Sequence, residues 1–157
     1  MKIEGMHSIP ATPERAYALL HDPVMLARCM PGCEALERIG EDEYRMKMKM
    51  VLASMSGLFD GKVRISEANP PLSFRLVVEG AGKIGFMKGD GVLTLTFADN
   101  VTNVQYEGEV QVGGTIAGVG QRLVVTTARM ITRRFFDRLC GEASNGAGTL
   151  PAGEAAG

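Results

Sequence analysis

Residues 11–36 read ATPERAYALLHDPVMLARCMPGCEAL, and this stretch decides how the chain folds. Thr12 precedes Pro13, and Asp22 precedes Pro23. In each pair a residue that favours the N-cap stands before a proline at the first helical position. The stretch therefore predicts two short helices that follow each other directly.

A Pro-Gly pair, Pro31 and Gly32, ends the second helix, since proline lacks the backbone donor and disfavours helical backbone in the residue before it. Cys29 and Cys33 flank this pair. Their C-x-x-x-C spacing is not the C-x-x-C spacing of thioredoxin-like couples, and the chain has only 2 histidines to complete a metal site. We interpret both cysteines as packed thiols at a turn, with redox chemistry as the weaker alternative.

The segments on either side have the period of β-strands. Residues 2–9, KIEGMHSI, alternate as a strand with one buried face. From residue 34 to 113 the same period continues, with turn signals at 40–42, 69–71 and 98–100. Such short connections predict an antiparallel meander.

The C-terminal part predicts one long amphipathic helix over residues 115–143, followed by a tail. Its apolar residues recur at roughly helical spacing: Ile116, Val119, Leu123, Met130, Ile131, Phe135 and Leu139. Residues 141–157 are rich in glycine, alanine and small polar groups, which is typical of a flexible tail. We therefore expect one domain over residues 1–140 and a tail over 141–157.

This order of elements predicts an α+β fold. A curved antiparallel sheet would wrap around the long C-terminal helix, with two short helices after the first strand, because the helix must cover the apolar face of the sheet. Sheet and helix then enclose a space. Whether it is a packed core or a ligand cavity depends on the side chains of the inward face.

Strand alternation places a row of glycines on that inward face: Gly5, Gly61, Gly80, Gly91 and Gly108. These glycines are explained either by strong curvature of the sheet or by a cavity that the curvature opens. Flexible methionines suit an irregular apolar ligand, although a methionine stripe is also common core filling. The predicted ligand-binding cavity is lined by His7, Met46, Met48, Met50, Phe59, Gly61, Leu76, Val78, Phe86, Leu93, Tyr106, Gly108, Val110, Ile116, Val119 and Leu123.

Two of these residues, His7 and Tyr106, could direct a polar group at a ligand carbonyl. The alternative for each is an ordinary buried polar residue with a protein partner. His21 ends the first short helix, where a cation is favourable, and needs no further function.

Basic residues concentrate on the terminal helix, beside two adjacent phenylalanines of which we expect only one to face the core. This surface is either a solvated helix face or a contact for anionic lipid or an acidic partner. The predicted contact residues are Arg129, Arg133, Arg134, Phe136 and Arg138. A ligand would enter where Phe136 and a loop over residues 82–91 separate.

Composition excludes several classes of function. A net charge of -1 gives no general attraction to nucleic acid. The chain starts without a signal peptide and has 3 cysteines, so we expect a cytoplasmic protein with reduced thiols. We find no catalytic motif and no metal-binding pattern in the sequence, and predict that the protein is not an enzyme.

Four segments carry a resemblance to a known family: LARCMPGCEALERIGEDEY, GLFDGKVRISEANPPLSFRL, GFMKGDGVLTL and VQVGGTIAGVGQRLV. Over about residues 1–140 the chain resembles the CoxG family of carbon-monoxide-dehydrogenase proteins, within the START and Bet v 1-like helix-grip (SRPBCC) group. Its CxPGCExLE segment is matched by Cys29, Pro31, Gly32, Cys33 and Glu34.

This resemblance implies a protein that works with a molybdenum hydroxylase of the carbon-monoxide-dehydrogenase type. It would bring the hydroxylase to the inner face of the cell membrane, as a peripheral protein, or carry its electron acceptor as a bound quinone or other isoprenoid lipid, with no covalent cofactor. One alternative is an assembly factor for the hydroxylase that binds no ligand. Another is a small enzyme similar to polyketide cyclases.

Overall fold

The structure of the chain is a computed structural model that describes the backbone of residues 1–149 and the side chains of residues 1–144. Its elements, in chain order, are β1 (Lys2–Ile9), α1 (Pro13–Leu20), α2 (Pro23–Cys29), β2 (Cys33–Gly40), β3 (Glu43–Leu52), β4 (Met55–Asn69), β5 (Ser73–Gly82), β6 (Gly85–Ala98), β7 (Val101–Gly113), a short 3-10 helix η1 (Thr115–Val119) and α3 (Gln121–Thr149).

The strands form one 7-stranded antiparallel sheet in the order β1-β7-β6-β5-β4-β3-β2. The predicted helix-grip fold is therefore confirmed, as are the turns at 40–42, 69–71 and 98–100. Two further turns lie at residues 53–54 and 83–84. The predicted loop over 82–91 is wrong, because β6 starts at Gly85 and pairs with β5 along that stretch.

Both short helices begin as the sequence predicts. The Thr12 hydroxyl accepts a hydrogen bond from the Arg15 backbone N–H at 3.3 Å, and the Asp22 carboxylate accepts one from the Val24 N–H at 2.9 Å. These caps satisfy backbone donors that the first helical turn leaves unpaired. After α2 the chain turns at Gly32, which has a φ of 80° and lies so close to the Lys49 carbonyl that a Cβ atom would overlap it.

The terminal helix differs from the prediction at both ends. Gly120 has a φ of 97°, which interrupts the helix, so residues 115–119 form η1 and α3 starts at Gln121. At the other end α3 continues to Thr149, beyond the predicted domain boundary at residue 140, and the Ala143 side chain is fully buried. The rest of the predicted tail, residues 150–157, lies outside the described residues.

Two clusters of buried side chains join the sheet to the helices. The first, which we call the packed end, lies where α1, α2 and the C-terminal half of α3 meet the sheet. Its buried members are Ile9, Ala16, Tyr17, Leu20, Cys29, Tyr44, Ile65, Phe74, Leu95, Val104, Phe135, Phe136, Leu139 and Ala143.

The second cluster, which we call the tip end, lies at the opposite end of the strands. Its buried members are Leu52, Phe59, Ile116 and Val124. The β3–β4 turn, the β5–β6 turn, η1 and the first turns of α3 come together here, and the Ile116 backbone N–H donates to the Ile84 carbonyl at 2.9 Å.

Candidate functional site

Between the packed end and the tip end, the inner face of the sheet carries side chains that belong to neither cluster. On β3, Met46 and Met48 stand between Tyr44 of the packed end and Leu52 of the tip end. On β7, Tyr106 lies between Val104 of the packed end and Val112, which packs against the tip end. We call this stretch the central segment.

The inward side chains of the central segment are not completely buried. Met46, Met48, Val78 and Tyr106 point inward, yet each remains only partly buried. A fully packed side chain leaves no surface that a water molecule could touch. Other protein atoms therefore do not cover these inward side chains completely, and the mostly apolar region between them and α3 is the candidate space for a ligand.

Glycines give this space its shape. Gly61 pairs with Gly80, and Gly91 pairs with Gly108, across neighbouring strands. A Cβ atom on Gly108 would lie 2.6 Å from the Asp90 carbonyl oxygen, and one on Gly91 would lie 2.9 Å from the Glu107 oxygen. Strong bending has brought these strands too close for any side chain, so curvature requires the glycines and the missing side chains widen the space.

Not every inward glycine is sterically required. A Cβ atom on Gly89 would have its nearest neighbours at 3.9 Å, and one on Gly80 at 3.6 Å, which are ordinary van der Waals distances. These two positions can therefore accept a side chain that would project into the central segment.

Three stacked rings form the wall next to β1. The His7 ring stacks on Phe136 of α3, with centroids 4.5 Å apart, and is parallel to the Tyr106 ring at 5.9 Å. Gly5 makes room for this arrangement, because a Cβ atom there would lie 2.6 Å from the Tyr106 hydroxyl oxygen. The stack places an imidazole and a phenol at the edge of an otherwise apolar space.

Burial keeps both polar groups of this stack neutral. It lowers the pKa of His7, an effect that Asp137 opposes and Arg133 reinforces. Burial also raises the pKa of the Tyr106 phenol, against the smaller effects of Arg129 and Thr132. A neutral imidazole and a phenol can each donate one hydrogen bond, and no bond joins the His7 ring to another described residue. The His7 ring can therefore donate to a carbonyl oxygen, whereas the Tyr106 hydroxyl has the Thr132 side chain as a hydrogen-bonding neighbour.

Most of the predicted cavity residues lie where the sequence places them. On the inner face of the sheet are His7, Met46, Met48, Met50, Phe59, Gly61, Leu76, Val78, Leu93, Tyr106, Gly108 and Val110. Three more belong to the tip end: Ile116, Val119 and Leu123. Their role in binding a ligand stays a prediction.

Phe86 is the exception among the predicted cavity residues. Its side chain is 46% exposed and lies on the outer face. Since β6 begins at Gly85, residue 87 faces inward and its neighbours 86 and 88 face outward. The inward, partly buried residue of the central segment at this point is therefore Met87, which alternation continued back from Leu93 and Gly91 would identify once residues 85–91 are assigned to the strand.

The structure also corrects Phe136, which we expected to face outward. Phe135 and Phe136 are both buried, with their rings edge to face at 5.3 Å. This is possible because β1 covers one side of α3 while α1 and α2 cover the other, so the buried stripe is wider than a sheet alone would need. Exposed guanidinium groups remain on the open side of α3, at Arg129, Arg133, Arg134 and Arg138.

The cysteines are free thiols. Cys29 is fully buried at the packed end, and Cys33 is partly buried at the start of β2. Burial raises the pKa of both thiols, which keeps them protonated. Within the described residues no group of histidine, cysteine or acidic side chains is arranged to hold a metal ion.

Among residues 1–149, no helix has the length and apolar character needed to cross a bilayer. The fold itself, a curved sheet closed by one long helix, is that of the START-like helix-grip proteins. A START superfamily protein from Mycobacterium smegmatis superposes with a TM-score of 0.70 at 12% identity, over 92% of this chain and 97% of that one. The Zhui aromatase/cyclase from Streptomyces sp. R1128 gives 0.66 at 12% identity, over 98% of each chain.

Within that class, the sequence profile of the carbon monoxide dehydrogenase CoxG proteins matches residues 5–144. The chain belongs to the CoxG family. A conserved protein from Geobacillus kaustophilus has 32% sequence identity and a TM-score of 0.88, over 92% of this chain and 96% of that one. Comparison with curated protein sequences returned no match.

Proposed function

We propose that this protein binds an apolar ligand, a quinone-type or other isoprenoid lipid, in the central segment between the sheet and α3. It would serve a molybdenum hydroxylase of the carbon-monoxide-dehydrogenase type, either by recruiting it to the membrane or by shuttling its electron acceptor. The observation that carries the proposal is the partly accessible row of inward apolar side chains between two well-filled clusters.

The chemistry of the central segment suits a quinone. Met46, Met48 and Val78 offer flexible, apolar contacts for a prenyl chain. His7 and Tyr106 supply neutral donors for a ring carbonyl at one wall. Because no carboxylate is among the described side chains of the central segment, the site offers binding rather than acid catalysis.

The link to a hydroxylase rests on the family, whose description names carbon monoxide dehydrogenase. The exposed arginines of α3 are the surface we propose for contact with that partner. Within the described residues none of Arg129, Arg133, Arg134 or Arg138 forms an ion pair, so their charges are free to meet an acidic surface.

The test is to incubate the purified protein with membranes of its host, re-isolate it, extract it with solvent and identify bound lipid by mass spectrometry. We expect a quinone or related isoprenoid at a stoichiometric amount. A Gly89→Leu variant should lose it, since the new side chain fits the backbone and fills the space. A Gly141→Leu variant is the matched control, because nothing lies within 4 Å of a Cβ atom there.

An empty extract, together with no thermal shift on adding quinones, would overturn the carrier function. The protein would then be better described as an assembly factor, and capture of the hydroxylase would be the next measurement. If the hydroxylase is captured and the Gly89→Leu variant captures it equally well, partner binding does not depend on the ligand.

A further inference from the structure

The outer face of the sheet at the tip end carries lysines that form no ion pair in the described part of the chain. Lys47 and Lys49 on β3, Lys62 on β4, Lys83 in the β5–β6 turn and Lys88 on β6 are all exposed. None of them lies within 4.0 Å of a carboxylate in the described part of the chain, although the strand register places Asp60 opposite Lys47 and Glu79 between Lys62 and Lys88. Lys49 and Lys83 have no acidic residue opposite them, so their charges are the most available to an external anion.

Two cations elsewhere on the outer face are held in ion pairs. Lys2 lies 2.9 Å from Glu107 and 3.7 Å from Glu4, and Arg75 lies 2.6 Å from both Glu67 and Asp90. The outer face thus has an end with unpaired lysines and a region of neutralised charge on β1, β5 and β7.

Exposed apolar side chains stand among these lysines. Val51 is 59% exposed, Leu58 is 48% exposed and Phe86 is 46% exposed. The strand register places Leu58 directly opposite Lys49, and Phe86 opposite Ala81, whose other neighbour is Asp60. An open groove of about 340 Å³ adjoins Phe86, and its charged lining consists of Arg45, Lys62 and Lys88 together with Asp60 and Glu79.

We propose that this surface, formed by Lys47, Lys49, Val51, Leu58, Lys83 and Phe86 and here called the tip surface, is where the protein docks on an anionic lipid bilayer. Peripheral binding needs apolar side chains that enter the interface and cations that attract acidic headgroups. The tip surface has both at one end of the molecule. The inference deepens the proposed function and rests on it, since a lipid ligand has to be taken from a membrane.

The arginine surface of α3 lacks the apolar half of this combination. Phe136 is 3% exposed, and the exposed residues near it are Arg133, Arg134 and Asp137. Such a surface favours an acidic protein partner over insertion into lipid. The tip surface, by contrast, is continuous with the tip end, where η1, the β3–β4 turn and the β5–β6 turn lie at the end of the central segment. Docking would therefore place η1 and these turns against the bilayer.

The chain contains 0 tryptophans, which allows a site-specific probe. In a Phe86→Trp variant, vesicles of phosphatidylcholine with phosphatidylglycerol should shift the emission to the blue, and brominated acyl chains should quench it. The control is Phe97→Trp, at the opposite end of β6, where the native side chain is 51% exposed. The proposal is wrong if Phe86→Trp does not respond, or if Phe97→Trp responds equally.

Sedimentation with the same vesicles, prepared without quinone, separates this inference from the ligand-binding proposal. A Lys47→Gln/Lys49→Gln variant should bind at least tenfold more weakly, since each lysine near an anionic surface contributes about fivefold. Arg133→Gln/Arg134→Gln is the matched variant on α3 and should bind like the native protein. If only the α3 variant loses binding, the docking surface is on α3 and the proposal is overturned, whether or not a quinone is found.

Discussion

The packed end and the tip end are built from the same strands and yet differ in how completely they are filled. At the packed end Ile9, Val104 and Leu139 are 0% exposed, and the Tyr17 and Phe74 rings meet edge to face at 5.5 Å. The tip end has four buried residues, and its outer side exposes apolar groups instead of covering them.

This difference suggests that the two ends of the sheet have different roles, stability at the packed end and ligand exchange at the tip end. The packed end holds the fold, because it joins all three α-helices to the sheet. The tip end is closed by turns and by η1, a 3-10 segment that lies between Gly114 and Gly120, both with positive φ. Segments with few buried contacts open at the lowest free-energy cost, so a ligand would exchange there without unfolding the packed end.

The strongest test of this division exchanges phenylalanine for alanine at each end. Phe74→Ala should lower the free energy of unfolding by about 3–5 kcal/mol, since a buried ring of the packed end is removed. Phe86→Ala, at the exposed tip surface, should change it by no more than about 0.5 kcal/mol. Urea denaturation measures both. Similar losses for the two variants would mean that the ends do not differ in their contribution to stability.

A second comparison concerns two inward glycines of the central segment. Gly108→Leu should destabilise the protein by about 1–3 kcal/mol or more, because the new Cβ meets the backbone of β6 at Asp90. Gly89→Leu should leave stability nearly unchanged and reduce quinone binding by at least tenfold, since its Cβ has room. Thermal unfolding and ligand titration of both variants show whether each glycine is required for the curvature of the sheet or for the volume of the ligand site. Equal stability of the two variants would contradict the steric account of Gly108.

Much of the packed end could be predicted from the sequence, because its signals are local. The caps at Thr12 and Asp22, each followed by proline, fix where α1 and α2 begin. Strand alternation in β1 and β3 then identifies the inward side chains of the central segment, including Met46 and Met48. Each of these features depends on residues close together in the chain.

The predictions fail where contacts between elements far apart in the chain determine the direction of a side chain. The sequence suggests that Phe86 is an inward loop residue, whereas pairing of β6 with β5 from Gly85 onward sets its direction. A single sheet would bury only one helix face and leave Phe136 outward, but α1 and α2 bury a second face of α3. The predicted helix end at residue 143 comes too early, because α3 continues to Thr149 through small residues whose sequence is typical of a tail.

Acidification should affect the packed end through His21. Its ring stacks on Tyr17 at 4.2 Å, its Nδ1 lies 2.7 Å from the Tyr17 carbonyl oxygen, and its buried Nε2 has no partner among the described residues. Burial lowers the pKa of His21 below 6.5, against the smaller opposing effects of the Tyr17 carbonyl and Asp42. The unfolded chain therefore binds the proton first as the pH falls.

The stability that neutral His21 provides should be complete above about pH 6.5 and should decrease below it, down to the lowered pKa of the folded state. Unfolding by urea at about pH 7.5 and about pH 5.5 measures this loss. His21→Phe keeps a ring at the position and should reduce the decrease in the free energy of unfolding at low pH. His7→Gln should leave the contribution of His21 to that decrease unchanged. An unchanged pH dependence in His21→Phe would assign it to other groups.

The smallest effect is expected at Gly118 in η1, and Gly120, which follows η1, should respond in the opposite direction to the same substitution. Gly118 has ordinary backbone geometry with nothing within 4 Å of a Cβ atom, so Gly118→Ala should raise the free energy of unfolding by about 0.4–1 kcal/mol through lost freedom of the unfolded chain. Gly120 has a φ of 97° and a ψ of 150°, a backbone conformation that essentially only glycine adopts, so Gly120→Ala should lower the free energy of unfolding by about 1–3 kcal/mol. If η1 closes the tip end, Gly118→Ala should also slow quinone release in stopped-flow measurements. Release at the native rate, with the stability gain present, would place the exit of the ligand elsewhere in the molecule.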